Sequence, residues 1–466
     1  MIKELNSDWT LRQANDSHND HAMLQYTKDI PFSIPGDVHS ALLHAGHIDE
    51  PYYRDNELAV DWVNRCEWLI EREFEIELPA PANRSAGKYA VLVLDQVDCI
   101  ADVYLNDTLV GKTESQFIRY AFDVQPCLKH GLNKIHLHFH SAVKVAAQKA
   151  AEFPFELPHS ANCRLPHSNF LRKTPCHAGW DWNICLMPTG IYGQINLIQY
   201  EKFWLEEVKI EQQCNSQQAC VSLTARIQVA EPQDVHCKLT LCGTEVSDKR
   251  ALIAGTRELA LTINIDNPEL WWPAGTGAQV RHLLKLDIGD QQYQQLIGLR
   301  SAQITQTPDT DASAPDTGAL NNKALRKSGS GFRIDINDRP VFMRGANWIP
   351  ADALPQRATP QVTRELLQSA VDANMNMLRV WGGGQYEASW FYDLCDELGI
   401  MIWQDFMFSC NHYPAADSNW LNLVRTEAEQ QIWRLSRHAC VVLWCGDNEL
   451  VGALNWWEVS RNNRDR

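Results

Sequence analysis

From residue 331 onward, short apolar runs alternate with helical stretches, and that alternation leaves few folds open. Strands are read at residues 341–348, 375–381, 400–406 and 440–444. The first intervening helix starts at Thr359, with Pro360 in its first turn, where a missing N–H costs nothing. Its expected buried stripe is Val362, Leu366, Leu367, Ala370 and Val371. Further helices are read at 387–398 and 419–438. Apolar strands joined through helices pair in parallel, and the simplest closed arrangement is a (β/α)8 barrel. Residues 331–466 hold four strands, so they are expected to form the first half of such a barrel.

In these barrels the working groups stand at the C-terminal ends of the strands. Read in order, those ends here are Asn347 and Trp348, Arg379 and Trp381, Gln404 and Asp405, then Asn448 and Glu449. Indoles, amides, an arginine and carboxylates suit the gripping of a polyhydroxylated ring. The run 441–450 (VVLWCGDNEL) is the most informative, because a buried strand leads directly into an amide and a carboxylate. The competing reading is that Glu449 merely caps the following helix. Asp405 is expected to orient a neighbour and not to react.

The rest of the chain reads differently. Residues 1–200 look all-β, with strands at 89–94 (YAVLVL) and 101–106 (ADVYLN) and turn residues Asn106 and Asp107. Residues 135–140 (IHLHFH) alternate strictly, leaving His136, His138 and His140 on one face. Residues 201–303 repeat the pattern in a smaller unit, with sandwich-like strands at 221–229 and 237–242. Residues 304–330 turn polar and are read as a loop or linker.

A formal charge of −16 argues against nucleic acid or an anionic membrane as partner. The N-terminus lacks an apolar leader and no long apolar window follows, so a cytoplasmic protein is expected. Many of the 14 cysteines sit inside strand-like runs, which suits reduced, buried thiols. No metal or cofactor is expected. The three-histidine ladder reads as a solvated face, and His159, Cys163, His167, Cys176 and His177 lack the paired spacing of a zinc site. Gly382, Gly383 and Gly384 lack the lysine of a phosphate loop and are read as a sharp turn beside Trp381. Trp271 and Trp272 are expected to pack between domains.

Six runs carry a resemblance: residues 34–39 (IPGDVH), 51–57 (PYYRDNE), 172–182 (RKTPCHAGWDW), 344–352 (RGANWIPAD), 379–384 (RVWGGG) and 403–406 (WQDF). In this order they resemble the β-mannosidases of glycoside hydrolase family 2. The resemblance implies a jelly-roll-like sandwich, an immunoglobulin-like sandwich and then a catalytic barrel, here its first half. It also implies an exo-acting, retaining hydrolase of β-mannoside oligosaccharides. Glu449 would be the proton donor, Asn448 would bond the sugar 2-hydroxyl, and Trp381 would line the pocket. Trp180, Asp181 and Trp182 would reach across from the first domain, and Trp457 would add a wall. Asn183 departs from the family's usual glycine. The family's nucleophile, a glutamate on a later strand, has no counterpart, so this chain is expected to be inactive alone. The alternatives are an exo-β-glucosaminidase or another family 2 exo-glycosidase, or a non-catalytic carbohydrate-binding fragment.

Overall fold

The computed structural model describes residues 1–14, 29–77, 89–307 and 330–463. The first sandwich pairs two antiparallel sheets. One holds four strands in the order Ile2–Glu4, Ile195–Tyr200, Tyr89–Leu94, Tyr120–Asp123. The other holds six, in the order Ile30–Phe32, Trp9–Gln13, Trp68–Ile76, Gly131–Phe139, Ala101–Leu105, Thr108–Thr113. The expected alternation holds: Ile135, Leu137 and Phe139 are almost fully buried while the histidines face outward. Asn106 and Asp107 both adopt positive φ, which turns one strand tightly into the next. The core joins Trp9, Trp68, Ile70, Leu92, Leu94 and Val103.

The second sandwich stacks a three-stranded sheet (Phe203–Cys214, Gln218–Val229, Gly255–Asp266) on a four-stranded one (Thr244–Leu252, Gln233–Leu241, His282–Ile288, Gln291–Ile297). It has its own core of Val221, Leu223, Ile227, Leu239, Ile263 and Leu286. Trp271 is fully buried and packs with Met377, Met401 and Ala439, donating its indole N–H to the Asp396 carbonyl at 2.7 Å. It is an interdomain wedge, as expected. Arg300 adds bonds to the carbonyls of Ala439 (3.0 Å) and Val441 (2.7 Å).

After residue 339 a parallel sheet runs in the order Gly345–Trp348, Met377–Val380, Met401–Asp405, Val441–Cys445. Helices Pro360–Asp372, Ser389–Leu398 and Ser418–Leu435 connect the strands. Three expectations need correcting. The strand read at 341–348 is two pieces, Arg339–Val341 and Gly345–Trp348, because the first hairpins back onto Arg333–Ile336. The supposed linker, read from residue 304, opens inside the strand Ala302–Thr305 of that same small sheet, whose ladder bonds satisfy its polar backbone. Residues 308–329 of that segment lie outside the described residues. In the first helix, Thr363 and Leu367 face inward while Val362 and Leu366 stay more than 40% exposed. The apolar stripe is broader than the surface that this sheet offers it.

The first sandwich and the parallel sheet are locked together by one buried ion pair. Arg172 donates from Nη2 to Glu427 Oε1 at 2.6 Å and from Nε to Oε2 at 2.9 Å, both side chains almost wholly buried. Its remaining nitrogen reaches the Met407 carbonyl at 2.8 Å, and its guanidinium lies 4.3 Å from the Phe408 ring centre. Breaking such a pair leaves an uncompensated buried charge, at a cost of about 3–5 kcal/mol. Among the described residues, no helix is long and apolar enough to cross a membrane.

Candidate active site

Strand Val441–Cys445 is followed by Gly446, and beyond it Asn448 pairs in parallel with Ser409. Both loops therefore leave the sheet side by side. Asn448 is buried and its side chain bonds on both ends. It accepts from Arg379 Nη2 at 2.9 Å and donates to Ser409 Oγ at 3.1 Å and Cys410 Sγ at 3.3 Å.

Glu449 follows in the left-handed region, at φ 67°, a conformation that carries strain for a non-glycine residue. It heads the short helix Leu450–Ala453 but its carboxylate makes no capping bond. Asp447 does that work, accepting from Leu450 N at 2.9 Å. The helix-cap reading of Glu449 therefore fails on geometry. Its carboxylate instead accepts from Cys410 Sγ at 3.2 Å, with Asn448 Nδ2 at 3.5 Å. Burial pushes the Cys410 thiol up to about 11, so it stays protonated and able to donate. Glu449 is itself exposed to solvent.

Asp405 stands at the end of the neighbouring strand and is fully buried. Arg379 grips it with two bonds, Nε to Oδ1 at 3.2 Å and Nη2 to Oδ2 at 2.7 Å, and Gly382 N donates to Oδ2 at 3.0 Å. Burial raises its pKa against the pull of Arg379. The result is a chain Asp405–Arg379–Asn448 that fixes the amide next to Glu449.

The indoles gather at the same end of the sheet. Trp381 follows strand Met377–Val380 and is mostly buried. Trp180 and Trp182 meet it edge-on, with ring centres 5.0 and 5.8 Å away. They come from a hairpin of the first sandwich, Ala178–Trp180 with Asn183–Cys185, whose turn exposes Asp181. Cys176 N donates to the Gly383 carbonyl at 2.9 Å, which ties that hairpin's approach to the three-glycine turn. A Cβ at Gly383 would fall 1.9 Å from the Trp381 ring, so the indole lies on bare backbone there. Asn183 bonds the Cys176 carbonyl at 3.0 Å and so braces the same hairpin. Trp457 packs instead against His412, ring centres 5.4 Å apart, beside the loop that carries Cys410.

The sequence reading passed over two residues here. Cys410 is one, hidden among 14 cysteines, all of which are free thiols. Glu387 is the other: it is buried, accepts from Trp348 Nε1 at 2.9 Å, and so sets the first strand's indole. The candidate zinc set at 159–177 does not assemble: among the described residues, the groups placed to hold a metal are Glu67, His138 and His140, and Asp396, His438 and Cys440. A cleft of about 1750 Å³ lies elsewhere, between the two sandwiches and helix Ser418–Leu435, and includes none of the strand-end residues above.

The chain is similar to known proteins along most of its length. Residues 9–193 match the family described as glycosyl hydrolase 2 galactose-binding domain-like. The β-mannosidase of Rattus norvegicus is 36% identical over 94% of this chain and 49% of its own length. The β-mannosidase B of Thermothelomyces thermophilus is 32% identical over 96% and 50%. The crystal structure of the β-D-mannosidase from Dictyoglomus thermophilum superposes with a TM-score of 0.85 at 32% identity, over 96% of this chain and 52% of that one. The exo-chitosanase of Amycolatopsis orientalis shares the fold, with a TM-score of 0.70 at 18% identity, over 95% and 49%. The chain thus has β-mannosidase homologues along nearly its whole length, and spans about half the length of the curated relatives it matches.

Proposed function

We propose that this chain supplies the acid/base half of an exo-acting, retaining β-mannosidase, and that its parallel sheet is the first half of a (β/α)8 barrel. The observation that carries the proposal is the strand-end constellation. Glu449 has a carboxylate freed from helix capping, Asn448 is held rigid beside it, and three indoles converge at the same end of the sheet.

In this reading Glu449 donates its proton to the departing glycosidic oxygen, then takes one from the water that ends the reaction. Asn448 presents its amide to the sugar 2-hydroxyl, and Trp381 with Trp180 and Trp182 offers apolar rings to the sugar's C–H face. Asp181, exposed at the hairpin turn, bonds hydroxyls on the far side, and Trp457 walls the entrance.

A retaining mechanism needs a second carboxylate about 5–5.5 Å from the first. Asp447 is spent on the helix and Asp405 on Arg379. The proposal therefore assigns the nucleophile to polypeptide outside residues 1–466, and expects this chain alone not to turn over. The 14 free thiols support a reducing, cytoplasmic setting for the protein.

The test is Glu449→Gln in a protein that also carries the second half. Turnover of a β-mannoside with a poor, alkoxide-like leaving group should fall about 10²–10⁴-fold. Activity within several-fold of the parent would overturn the assignment. Hydrolysis of a β-glucosaminide in preference to the mannoside would keep the machinery and change the sugar.

A further inference from the structure

We propose that the outer face of the first sandwich carries a divalent transition-metal site made by His138, His140 and Glu67. The strand Gly131–Phe139 explains the placement. Its odd positions fill the core, so His138 and His140, two residues apart, project together from the other face. Phe139 pairs with Trp68, which sets Glu67 opposite His140 on the neighbouring strand. His138 pairs on its other side with Asp102. Two imidazoles and two carboxylates from three adjacent strands thus share one patch.

The spacing is that of ligands around one ion. His138 Nε2 lies 2.8 Å from Glu67 Oε2, and His140 Nδ1 lies 3.5 Å from Glu67 Oε1. The donor atoms of the three side chains all fall within 4.8 Å of one another. Four ligands arranged tetrahedrally at zinc bond lengths sit about 3.3 Å apart, which those two distances bracket. The imidazole rings are 4.7 Å apart and tilted by 42°, not stacked, so both edges can turn to a common point.

Two further observations separate this patch from an ordinary solvated face. His138 Nε2 is buried and, although close to Glu67, makes no aligned hydrogen bond. A buried ring nitrogen without a bond is costly, and a cation between it and Glu67 satisfies both. Meanwhile His140 turns its other nitrogen, Nε2, to Asp102 Oδ2 at 3.2 Å, and Asp102 is itself paired with Lys112 at 3.0 Å. A carboxylate behind a metal-ligating histidine fixes the tautomer and orients the ring, the arrangement expected of a supported site. The side chains of Glu67, His138 and His140 are 17–29% exposed, so a water can reach the fourth position. Two imidazoles and one carboxylate select zinc(II), cobalt(II) or nickel(II) over magnesium or calcium. Bound there, the ion ties strand Trp68–Ile76 to strand Gly131–Phe139 across their outer face.

Cobalt(II) titration of the metal-free 466-residue chain, followed by visible absorption and thermal unfolding, tests this. One equivalent should bind, with ligand-field bands, no thiolate charge-transfer band and a rise in Tm. His138→Gln and His140→Gln should each abolish the bands, and Asp102→Asn should weaken binding by at least about tenfold. Zinc should also shield His138 and His140 of the unaltered chain from carbethoxylation, a readout that needs no variant to fold. No binding at millimolar metal, a thiolate band, or unchanged carbethoxylation of the two histidines would each overturn the proposal.

Discussion

Two carboxylates stand at the ends of adjacent parallel strands, and the fold treats them in opposite ways. Asp405 is fully buried with both oxygens taken by Arg379 and one shared with the Gly382 amide. Glu449 is exposed, released from capping by Asp447, and bonded only through a weakly donating thiol and the edge of Asn448. The topology that delivers a side chain to the strand end does not decide its chemistry; the number of fixed partners does. A carboxylate with both oxygens held by fixed, strong donors positions its neighbours, and one with open lone pairs is available to a substrate.

That contrast can be broken by experiment. Arg379→Met should have the largest effect, because it strands Asp405 as an uncompensated buried anion. Stability should fall by about 3–5 kcal/mol in urea unfolding, and a smaller loss than 1 kcal/mol would show that Asp405 is not tied as described. Asp405→Asn keeps the shape and removes the charge, so a cost of about 1–3 kcal/mol is expected, with Asn448 loosened as Arg379 swings free. Cys410→Ala removes one thiol donor from Glu449, which should cost about 0.5–1.5 kcal/mol, seen as a several-fold loss of kcat in the complete enzyme with KM nearly unchanged. Glu449→Gln should be the mildest of the four for folding, within about 0.5 kcal/mol of the parent, since its exposed side chain takes only the Cys410 thiol and the edge of the Asn448 amide. A large drop in Tm for that variant would make Glu449 a structural residue like Asp405.

Much of this was legible in the sequence, for identifiable reasons. The outward histidines followed from strict alternation, and the turn at Asn106 and Asp107 from residues that tolerate positive φ. The four parallel strands showed through as apolar runs, and Glu449 stood out by its place after one of them. What stayed hidden was set by tertiary contact. Nothing local says that Val362 and Leu366 stay exposed while Thr363 goes inside, because burial depends on what the helix faces. The bond between Arg172 and Glu427 joins residues far apart in the chain, and the thiol beside Glu449 lies on the preceding βα unit. The break between residues 341 and 345 reflects a hairpin whose partner strand precedes it, invisible to a periodicity read along one run.

The decisive measurement is the leaving-group dependence of Glu449→Gln in a protein with both halves. If Glu449 is the proton donor, the variant should lose several orders of magnitude on a mannoside with a poor, alkoxide-like leaving group. It should lose far less on a dinitrophenyl mannoside, whose phenolate departs unaided, and added azide should trap the mannosyl intermediate with retained configuration. An equal loss on both substrates, with no azide product, would contradict the role given to this carboxylate.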